Sequence, residues 1–348
     1  MRAVIFDGPR QIVVRDVPEP RLIDPMDALV RVRAAAVCGS DLWTYRGMAS
    51  VAPGSRIGHE FLGEVVDVGP LVDWVRVGDW VVAPFRYSDG ECEFCRAGLT
   101  SSCAHGGFWG REIRDAGQGE LVRVPFADST LVRIGGGDKP DDSMTADLLT
   151  LSDVYPTGTH AVVRAGVDGH SCVVVIGDGA VGLSAVMAAR QRGVDQVIVL
   201  GSTHRDRQRL ALEVGADRFI SARGADAVSA VTEITKGALA SHVVECVGTQ
   251  QSFDTAFSVA RAGGTVAYVG LPHGVSVDPA SLFARNITLT GGICPARVYM
   301  PSLMGEVLAG RSHPGQVFTQ SLALEEASKA YELMDQRSAI KCLLKVGV

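Results

Sequence analysis

One short segment near the middle of the chain constrains the fold more than any other. The β-branched run from Val173 to Ile176 predicts a strand that is buried on both faces. Residues 177–182 then read Gly-Asp-Gly-Ala-Val-Gly and open a helical pattern over 180–192. A GxGxxG pattern is weak alone, but between a strand and a helix it predicts a dinucleotide-binding βαβ unit.

The glycines of this fingerprint have separate predicted roles. Gly177 permits a tight turn, and Gly182 lets the helix pack closely on the strand. Gly179 lets a pyrophosphate approach the helix N-terminus, where free N–H groups and the helix dipole favour an anion. A glycine-rich turn without a ligand is the alternative. The remaining predicted fingerprint and strand-end contacts to the cofactor are Ala180, Val181, Val247 and Val269.

Strands and helices alternate at short intervals across residues 155–290, which predicts a parallel, doubly wound sheet with helical crossovers. Residues 1–154 instead carry short strand patterns cut by Gly, Pro and Asp, which favour an antiparallel, barrel-like domain. We expect residues 291–348 to return to that first domain, because the parallel sheet is complete without them. The predicted fold class is therefore α/β with two domains.

The end of the second predicted strand bears on the choice of cofactor. An acidic residue there would bind the ribose 2′-hydroxyl of NAD. This chain has Gly201 and Ser202 instead, and the first acid, Asp206, lies inside the next helix. Ser202 can donate to a phosphate oxygen and Arg205 can pair with its charge, so the sequence favours NADP. NAD is the alternative if Ser202 only caps the helix and Arg205 is solvated.

Charge and hydropathy exclude several function classes. The formal net charge of −6 disfavours nucleic acid or an anionic membrane as the main partner. No apolar stretch reaches the ~18 residues of a membrane span, and the apolar start of the chain is too short for a signal peptide. The eight cysteines therefore predict reduced thiols or metal ligands in a cytoplasmic protein.

Three of those cysteines have the spacing of metal ligands. Cys92, Cys95 and Cys103 form Cys-x2-Cys-x7-Cys, and Asp89 lies three residues before the first. A structural zinc site needs four ligands, and a carboxylate oxygen can supply one, so Asp89 completes the predicted set. A redox Cys-x-x-Cys pair or an empty loop is the alternative, although the thioredoxin-like βαβ unit that a redox pair needs is missing.

A second candidate metal set is dispersed along the chain. Cys38 follows one predicted strand and His59 opens another. A single buried cysteine or histidine is usually structural. In a chain that also has a dinucleotide fingerprint, the two together predict a thiolate and an imidazole on one metal.

These motifs, in this order along the chain, resemble the zinc-containing alcohol dehydrogenases of the medium-chain dehydrogenase/reductase superfamily. The resemblance rests on Cys-Gly-Ser-Asp at 38–41, Gly-His-Glu at 58–60, the four-ligand loop, the glycine fingerprint and the C-terminal return, and covers essentially the whole chain. It implies a GroES-like β-barrel catalytic domain beside a Rossmann cofactor domain. It also implies hydride transfer between an alcohol and a carbonyl compound (EC 1.1.1.-), with zinc and a nicotinamide cofactor.

The resemblance assigns roles to single residues. Cys38 and His59 correspond to the first two catalytic zinc ligands, and Asp153 occupies the place of the third. Glu60 corresponds to the acid that approaches the zinc during ligand exchange. Asp41 corresponds to the acid that orients the ligating histidine. The Gly201–Ser202 pair also lies where NADP-dependent members have one, but those members follow it with Arg, where this chain has Thr203.

Two further departures from the family pattern affect the predicted sites. Asp89 replaces the usual first cysteine of the structural loop, which predicts weaker zinc binding there. Trp43 replaces a histidine that ends the proton relay in many members. We expect Ser40 to accept the alcohol proton and pass it on through the cofactor ribose, and the proton to leave through water or another group.

The resemblance also bears on substrate and assembly. Trp43, Phe85 and Trp109 are predicted to line the substrate pocket, which favours an apolar primary or secondary alcohol over a polyol. We expect a homo-oligomer, a tetramer rather than a dimer. The alternatives are an NAD-linked polyol dehydrogenase, a zinc-free quinone or enoyl reductase of the same fold, and a regulatory nucleotide-binding protein without activity.

Overall fold

The computed structural model describes residues 1–135 and 139–347. The chain forms two compact units. The first comprises Met1–Pro156 together with the segment from Pro295 onward, and the second comprises Thr157–Cys294. The sequence predicted the boundaries at 154/155 and 290/291.

The N-terminal part of the first unit consists of short strands and short helices. Its strands are β1 (Arg2–Gly8), β2 (Gln11–Asp16), β3 (Ala28–Val37), β4 (Ser55–Arg56), β5 (Glu60–Val68), β6 (Trp80–Ala83), β7 (Arg86–Tyr87), β8 (Gly107–Phe108), β9 (Leu121–Val124) and β10 (Val132–Arg133). Its helices are α1 (Asp41–Tyr45), α2 (Glu93–Arg96), α3 (Ala127–Thr130) and α4 (Asp142–Leu149), and α5 (Val154–Ala165) continues into the second unit.

The second unit alternates strand and helix throughout. Its strands are β11 (Cys172–Ile176), β12 (Gln196–Leu200), β13 (Arg218–Ile220), β14 (Ala240–Glu245), β15 (Ala260–Tyr268) and β16 (Thr288–Gly291). Its helices are α6 (Ala180–Gln191), α7 (Arg205–Glu213), α8 (Gly224–Ile234), α9 (Gln250–Val259) and α10 (Pro279–Arg285).

The C-terminal segment contributes two helices and two strands to the first unit. They are α11 (Ala296–Leu308), β17 (Phe318–Ala323), α12 (Ala327–Asp335) and β18 (Lys341–Lys345). β18 pairs antiparallel with β3, with Cys342 opposite Val37. The last strand of the chain is thereby placed beside the segment that carries Cys38.

The first unit is built on mainly antiparallel sheets, as predicted for a barrel-like domain. Its largest sheet has the order β10-β6-β5-β3-β18-β17, and β9 also pairs with β3. A second sheet has the order β2-β1-β4, and β7 pairs with β8. Fully buried side chains fill the space between these elements, among them Val30, Phe61, Val65, Tyr331 and Leu344.

The second unit contains the predicted parallel sheet. Its strand order is β13-β12-β11-β14-β15-β16, and every pairing along it is parallel. Chain order reverses direction at β11, so the carboxyl ends of β11 and β14 flank a topological switch point. In open parallel sheets, ligands bind in the crevice at that point. Residues 177–182 directly follow β11.

Candidate functional site

Strand pairing brings the first two predicted metal ligands together. β3 ends at Val37 and β5 begins at Glu60, and their antiparallel register sets Ala36 opposite Glu60. Cys38 and His59 therefore lie at the same end of the sheet although 21 positions separate them in the sequence. The backbone N–H of Cys38 donates to the Asp41 carboxylate at 3.0 Å, which fixes the turn into α1.

The third predicted ligand reaches the same place from a later turn. Asp153 follows a 3-10 turn, Thr150–Ser152, and directly precedes α5. The backbone N–H of Phe85 donates to the carbonyl of Ser152 at 2.8 Å, which ties this turn to the sheet. Asp153 Oδ2 lies 3.4 Å from the sulfur of Cys38 and 3.4 Å from Nε2 of His59.

These distances fit a single metal ion. Atoms that bind one tetrahedral zinc at ~2.0–2.3 Å lie roughly 3.3–3.8 Å apart. The ligand atoms of Cys38, His59, Glu60 and Asp153 all lie within 4.8 Å of one another. Nδ1 of His59 lies 3.2 Å from Oδ1 of Asp41, which leaves Nε2 directed at the cluster. A thiolate, an imidazole and a carboxylate are ligands that zinc accepts.

The electrostatics of this cluster also favour a bound cation. Burial and the charge of Asp153 raise the pKa of the Cys38 thiol to about 11. Burial alone would lower the pKa of His59, but Asp41, Cys38 and Asp153 together outweigh burial, and the pKa rises well above its ordinary value. The acidic groups of Cys38, Glu60 and Asp153 thus lie close together at a buried position, and a metal ion there would stabilise their charged forms.

Glu60 has a partner that sequence reasoning missed. Its Oε1 accepts a hydrogen bond from Nζ of Lys341 on β18 at 2.7 Å, and both side chains are fully buried. Burial raises the pKa of Glu60, and Lys341 offsets part of that effect. The other oxygen, Oε2, is buried without a hydrogen-bond partner. The carboxylate is therefore held within the cluster by Lys341.

The second predicted metal set also converges. The ligand atoms of Asp89, Cys92, Cys95 and Cys103 lie within 4.8 Å of one another. Their arrangement fits the predicted four-ligand loop, and Gly90 adopts a left-handed conformation (φ 74°) at its first turn. None of the eight cysteines, all of which the structure describes, forms a disulfide.

Asp89 is held by more groups than the sequence indicated. Its Oδ1 accepts the backbone N–H groups of Glu91 at 2.8 Å and Cys92 at 3.1 Å. Its Oδ2 lies 2.5 Å from Nδ1 of the exposed His105. Burial alone would raise the pKa of Asp89, but these bonds lower it, so the carboxylate is charged and its orientation is fixed. His105 is a member of this site that sequence reasoning missed.

The three aromatic residues predicted for the substrate pocket lie in different surroundings. Phe85 contacts His59 edge-on, with ring centroids 6.5 Å apart, and therefore flanks the metal cluster. Trp43 lies on α1, half-buried, three positions after Ser40. Trp109 is 4 % exposed and packs on Phe61 in the barrel core, so its place in the substrate pocket stays a prediction.

The fingerprint adopts the predicted strand, turn and helix. Gly177 has a φ of 116°, which favours glycine, and a Cβ on Gly182 would lie 2.0 Å from the carbonyl oxygen of Gly177. Gly179 is the N-cap of α6, and a Cβ built there meets no atom within 4 Å. The space beside the helix N-terminus is therefore open to a pyrophosphate group.

The residues after β12 are arranged differently from the prediction. Both the backbone N–H and the hydroxyl of the buried Ser202 donate to Oδ2 of Asp178, the second residue of the fingerprint. A guanidinium nitrogen of Arg207 donates to the Asp178 carbonyl at 3.2 Å. The Ser202 hydroxyl is thus paired with Asp178 in this structure, and its contact with a phosphate stays a prediction. Arg205 is exposed as the first residue of α7.

Val247 and Val269 follow the carboxyl ends of β14 and β15, at the same edge as the fingerprint. The buried Glu245 holds both segments. Its Oε1 accepts the N–H of Val247 at 2.7 Å, and its carbonyl accepts the N–H of Val269 at 2.9 Å. Sequence reasoning assigned no role to Glu245. Its carboxylate shapes the loop between β14 and α9.

Comparison with known proteins agrees with both halves of this description. The family model described as "Alcohol dehydrogenase GroES-like domain" matches residues 24–134, and the one described as "Zinc-binding dehydrogenase" matches residues 180–309. Zinc-type alcohol dehydrogenase B of Aspergillus flavus is 32% identical over 100% of this chain and 82% of its own length.

Solved structures show the same similarity. The alcohol dehydrogenase TADH from Thermus sp. ATN1 superposes with a TM-score of 0.92 at 33% identity, covering 99% of this chain and 100% of its own. A protein described as a zinc-binding dehydrogenase from Sinorhizobium meliloti 1021, bound to NADP, has a TM-score of 0.85 at 27% identity, covering 99% and 98%.

A barrel unit with a buried metal-ligand set and a Rossmann unit with a dinucleotide fingerprint define a class of zinc-binding oxidoreductases. The chain belongs to the zinc-type alcohol dehydrogenases of the medium-chain dehydrogenase/reductase superfamily. Among the described residues, no helix is long and apolar enough to cross a bilayer.

Proposed function

We propose that this chain is a zinc-dependent alcohol dehydrogenase that transfers hydride between an alcohol and NADP, giving an aldehyde or ketone. The observation that carries the proposal is the convergence of Cys38, His59 and Asp153, with Asp153 Oδ2 at 3.4 Å from both partners. Three protein ligands leave one position of a tetrahedral zinc for a substrate oxygen. When bound, the zinc supplies a Lewis acid that stabilises negative charge on that oxygen.

The residues around the cluster have distinct proposed tasks. Asp41 binds Nδ1 of His59 and so holds Nε2 ready for the metal. Lys341 holds Glu60 within reach of the cluster, so that this carboxylate is available while the fourth ligand exchanges. The hydroxyl of Ser40 is exposed and makes no cap hydrogen bond to α1, which leaves it available to accept the alcohol proton.

The substrate class follows from the side chains near the metal cluster. Phe85 presents an aromatic edge to His59 and stacks on Phe108, with ring centroids 6.1 Å apart. Such an apolar wall supports an apolar primary or secondary alcohol over a polyol. Trp43 stands in place of a relay histidine, so we propose that the proton leaves through water.

NADP is the cofactor that we propose first. The last residues of β12 include no acid that would select the ribose 2′-hydroxyl, and Arg205 is exposed at the start of α7. NAD is the second candidate, and one specific observation favours it. The carboxylate of Asp178 accepts both donors of Ser202, so a 2′-phosphate near Ser202 would meet a negative charge.

A substrate panel tests this proposal. Primary and secondary alcohols, aldehydes, ketones and polyols are each assayed with NADP(H) and NAD(H), and the metal content of the same preparation is measured. The proposal expects turnover of apolar alcohols or carbonyl compounds by a zinc-containing protein. Turnover by a zinc-free protein would favour a quinone or enoyl reductase, and no turnover on any member would favour a regulatory role.

A further inference from the structure

A series of buried, hydrogen-bonded side chains leads to Asp41, which contacts the predicted metal ligand His59. The Tyr331 hydroxyl on α12 donates to Oε1 of Gln118 at 2.9 Å. Nε2 of Gln118 donates to the carbonyl of Ala36 at 2.9 Å and lies 3.4 Å from Oδ2 of Asp41. Asp41 in turn binds Nδ1 of His59 at 3.2 Å. Tyr331 and Gln118 are 0 % and 1 % exposed.

The partners fix the orientation of the Gln118 amide. With the amide turned over, its oxygen would face the Ala36 carbonyl and the Asp41 carboxylate, which are both acceptors. Its nitrogen would then face the tyrosine hydroxyl. Only the observed orientation pairs a donor with an acceptor at every contact. Tyr331 therefore donates to Gln118, and Gln118 donates to Asp41.

The backbone around Gln118 is fixed as well. Its carbonyl accepts the N–H of Val4 at 2.8 Å, and its own N–H donates to the carbonyl of Ile57 at 3.3 Å. The neighbouring Gly58 has a φ of 97°, and a Cβ there would collide with the Gln118 side chain. The amide is therefore packed directly against the turn that presents His59.

We infer that Gln118 and Tyr331 are positioning residues, which hold Asp41 and through it the His59 ring in the orientation that binds the catalytic metal. The inference rests on the metal site of the proposed function. Asp41 contacts the ligand His59 directly, and loss of such a group typically weakens metal binding ~10–100-fold. Gln118 and Tyr331 act on the metal through Asp41, so their loss should have a smaller effect. A buried, fully paired network of this kind also resists rearrangement.

Cobalt binding to the full-length protein tests the inference without any activity measurement. Apoprotein is titrated with Co²⁺ against a competing chelator, and the absorption that disappears in Cys38→Ser is assigned to the Cys38 cluster. We expect Gln118→Leu to weaken Co²⁺ binding at that cluster by up to about 10-fold, the lower end of the effect of a group that contacts a ligand, and to alter its ligand-field spectrum. Tyr331→Phe should produce a smaller change in the same direction.

Two controls separate positioning from general damage to the fold. Tyr45→Phe removes a hydroxyl from the ring that packs on Tyr331, with centroids 5.7 Å apart, and should leave cobalt binding unchanged. The Asp89 loop in the same molecule should keep wild-type affinity in every variant. Wild-type affinity and spectrum in both Gln118→Leu and Tyr331→Phe would overturn the inference, as would equal losses at both metal sites. A wild-type protein without any Cys38-dependent spectrum would refute the metal site of the proposed function itself.

Discussion

Glu60 and Lys341 form a completely buried ion pair, with Oε1 and Nζ 2.7 Å apart and side chains 0 % and 1 % exposed. They lie at the start of β5 and of β18, 281 positions apart in the sequence. The pair joins the C-terminal strand to the metal cluster. An unpaired charge at this depth would be strongly unfavourable.

The first prediction concerns this pair. Lys341→Met removes the cation and leaves Glu60 buried without a partner, so we expect the free energy of unfolding to fall by about 3–5 kcal/mol. Urea unfolding measures the loss. Adding Glu60→Gln should recover part of it, because the uncompensated charge is then absent.

A matched control lies on the same strand. Lys345 pairs with the exposed Asp142 at 2.6 Å, and Lys345→Met should leave unfolding close to wild type, because exposed pairs contribute little. Equal effects of the two lysine substitutions would contradict a special role for the Glu60–Lys341 pair.

The second prediction concerns the structural metal loop. Asp89→Ala removes the proposed fourth ligand, and the loop should then lose zinc to a chelator at least about 10-fold more readily than wild type. Metal content after graded chelator dialysis measures this. Asp89→Cys restores a four-ligand set and should retain zinc. If Asp89→Ala kept the zinc of this loop as firmly as wild type, Asp89 would not be a ligand.

The third prediction concerns Arg205. If its guanidinium pairs with the 2′-phosphate of NADP, Arg205→Ala should lower kcat/KM for NADPH about 10-fold and leave NADH unaffected. Arg209→Ala is the control, because Arg209 is exposed on the same helix and pairs with Asp206 and Glu213. Parallel losses with both cofactors would argue against phosphate recognition.

The fourth prediction concerns Asp178. Asp178→Asn removes the negative charge that Ser202 contacts, while the amide oxygen can still accept from the Ser202 N–H. We expect the ratio of kcat/KM for NADPH to that for NADH to rise, because a 2′-phosphate no longer meets a carboxylate. An unchanged ratio would show that Asp178 does not influence the choice between NADPH and NADH.

The fifth prediction concerns pH and His160. Burial lowers the pKa of this histidine from 6.5 to about 4. Between these values the unfolded chain binds a proton that the folded chain does not, so His160 destabilises the fold only as the pH falls below 6.5. The free energy of unfolding should drop by up to roughly 3 kcal/mol by pH 4 through this group. In His160→Gln the free energy of unfolding should change less between pH 6.5 and 4 than in wild type. The same slope in both proteins would contradict the prediction.

The features that the sequence predicted correctly depend on local patterns. The strand, turn and helix at 172–191 follow from a β-branched run and three glycines that lie within residues 177–182. The convergence of Cys38 with His59 follows from two predicted strands and from the order of the motifs in the family. Such signals need no knowledge of distant packing.

The features that the sequence missed depend on contacts between distant segments. Lys341 contacts Glu60 and Tyr331 contacts Gln118 only because β18 and α12 return to the first unit. The packing of Trp109 on Phe61 could not be predicted, because an aromatic ring suits a pocket wall and a core equally well. The hydrogen bond from Ser202 to Asp178 could not be predicted, because Asp178 lies 24 positions earlier in the sequence.

The most direct test of the central claim is metal removal and restoration, read out as alcohol oxidation with NADP. The account predicts that chelation of the catalytic metal abolishes turnover, that Zn²⁺ restores it, and that Cys38→Ser stays inactive while the Asp89 loop keeps its zinc. Turnover that survives complete removal of zinc, or that persists in Cys38→Ser, would contradict it.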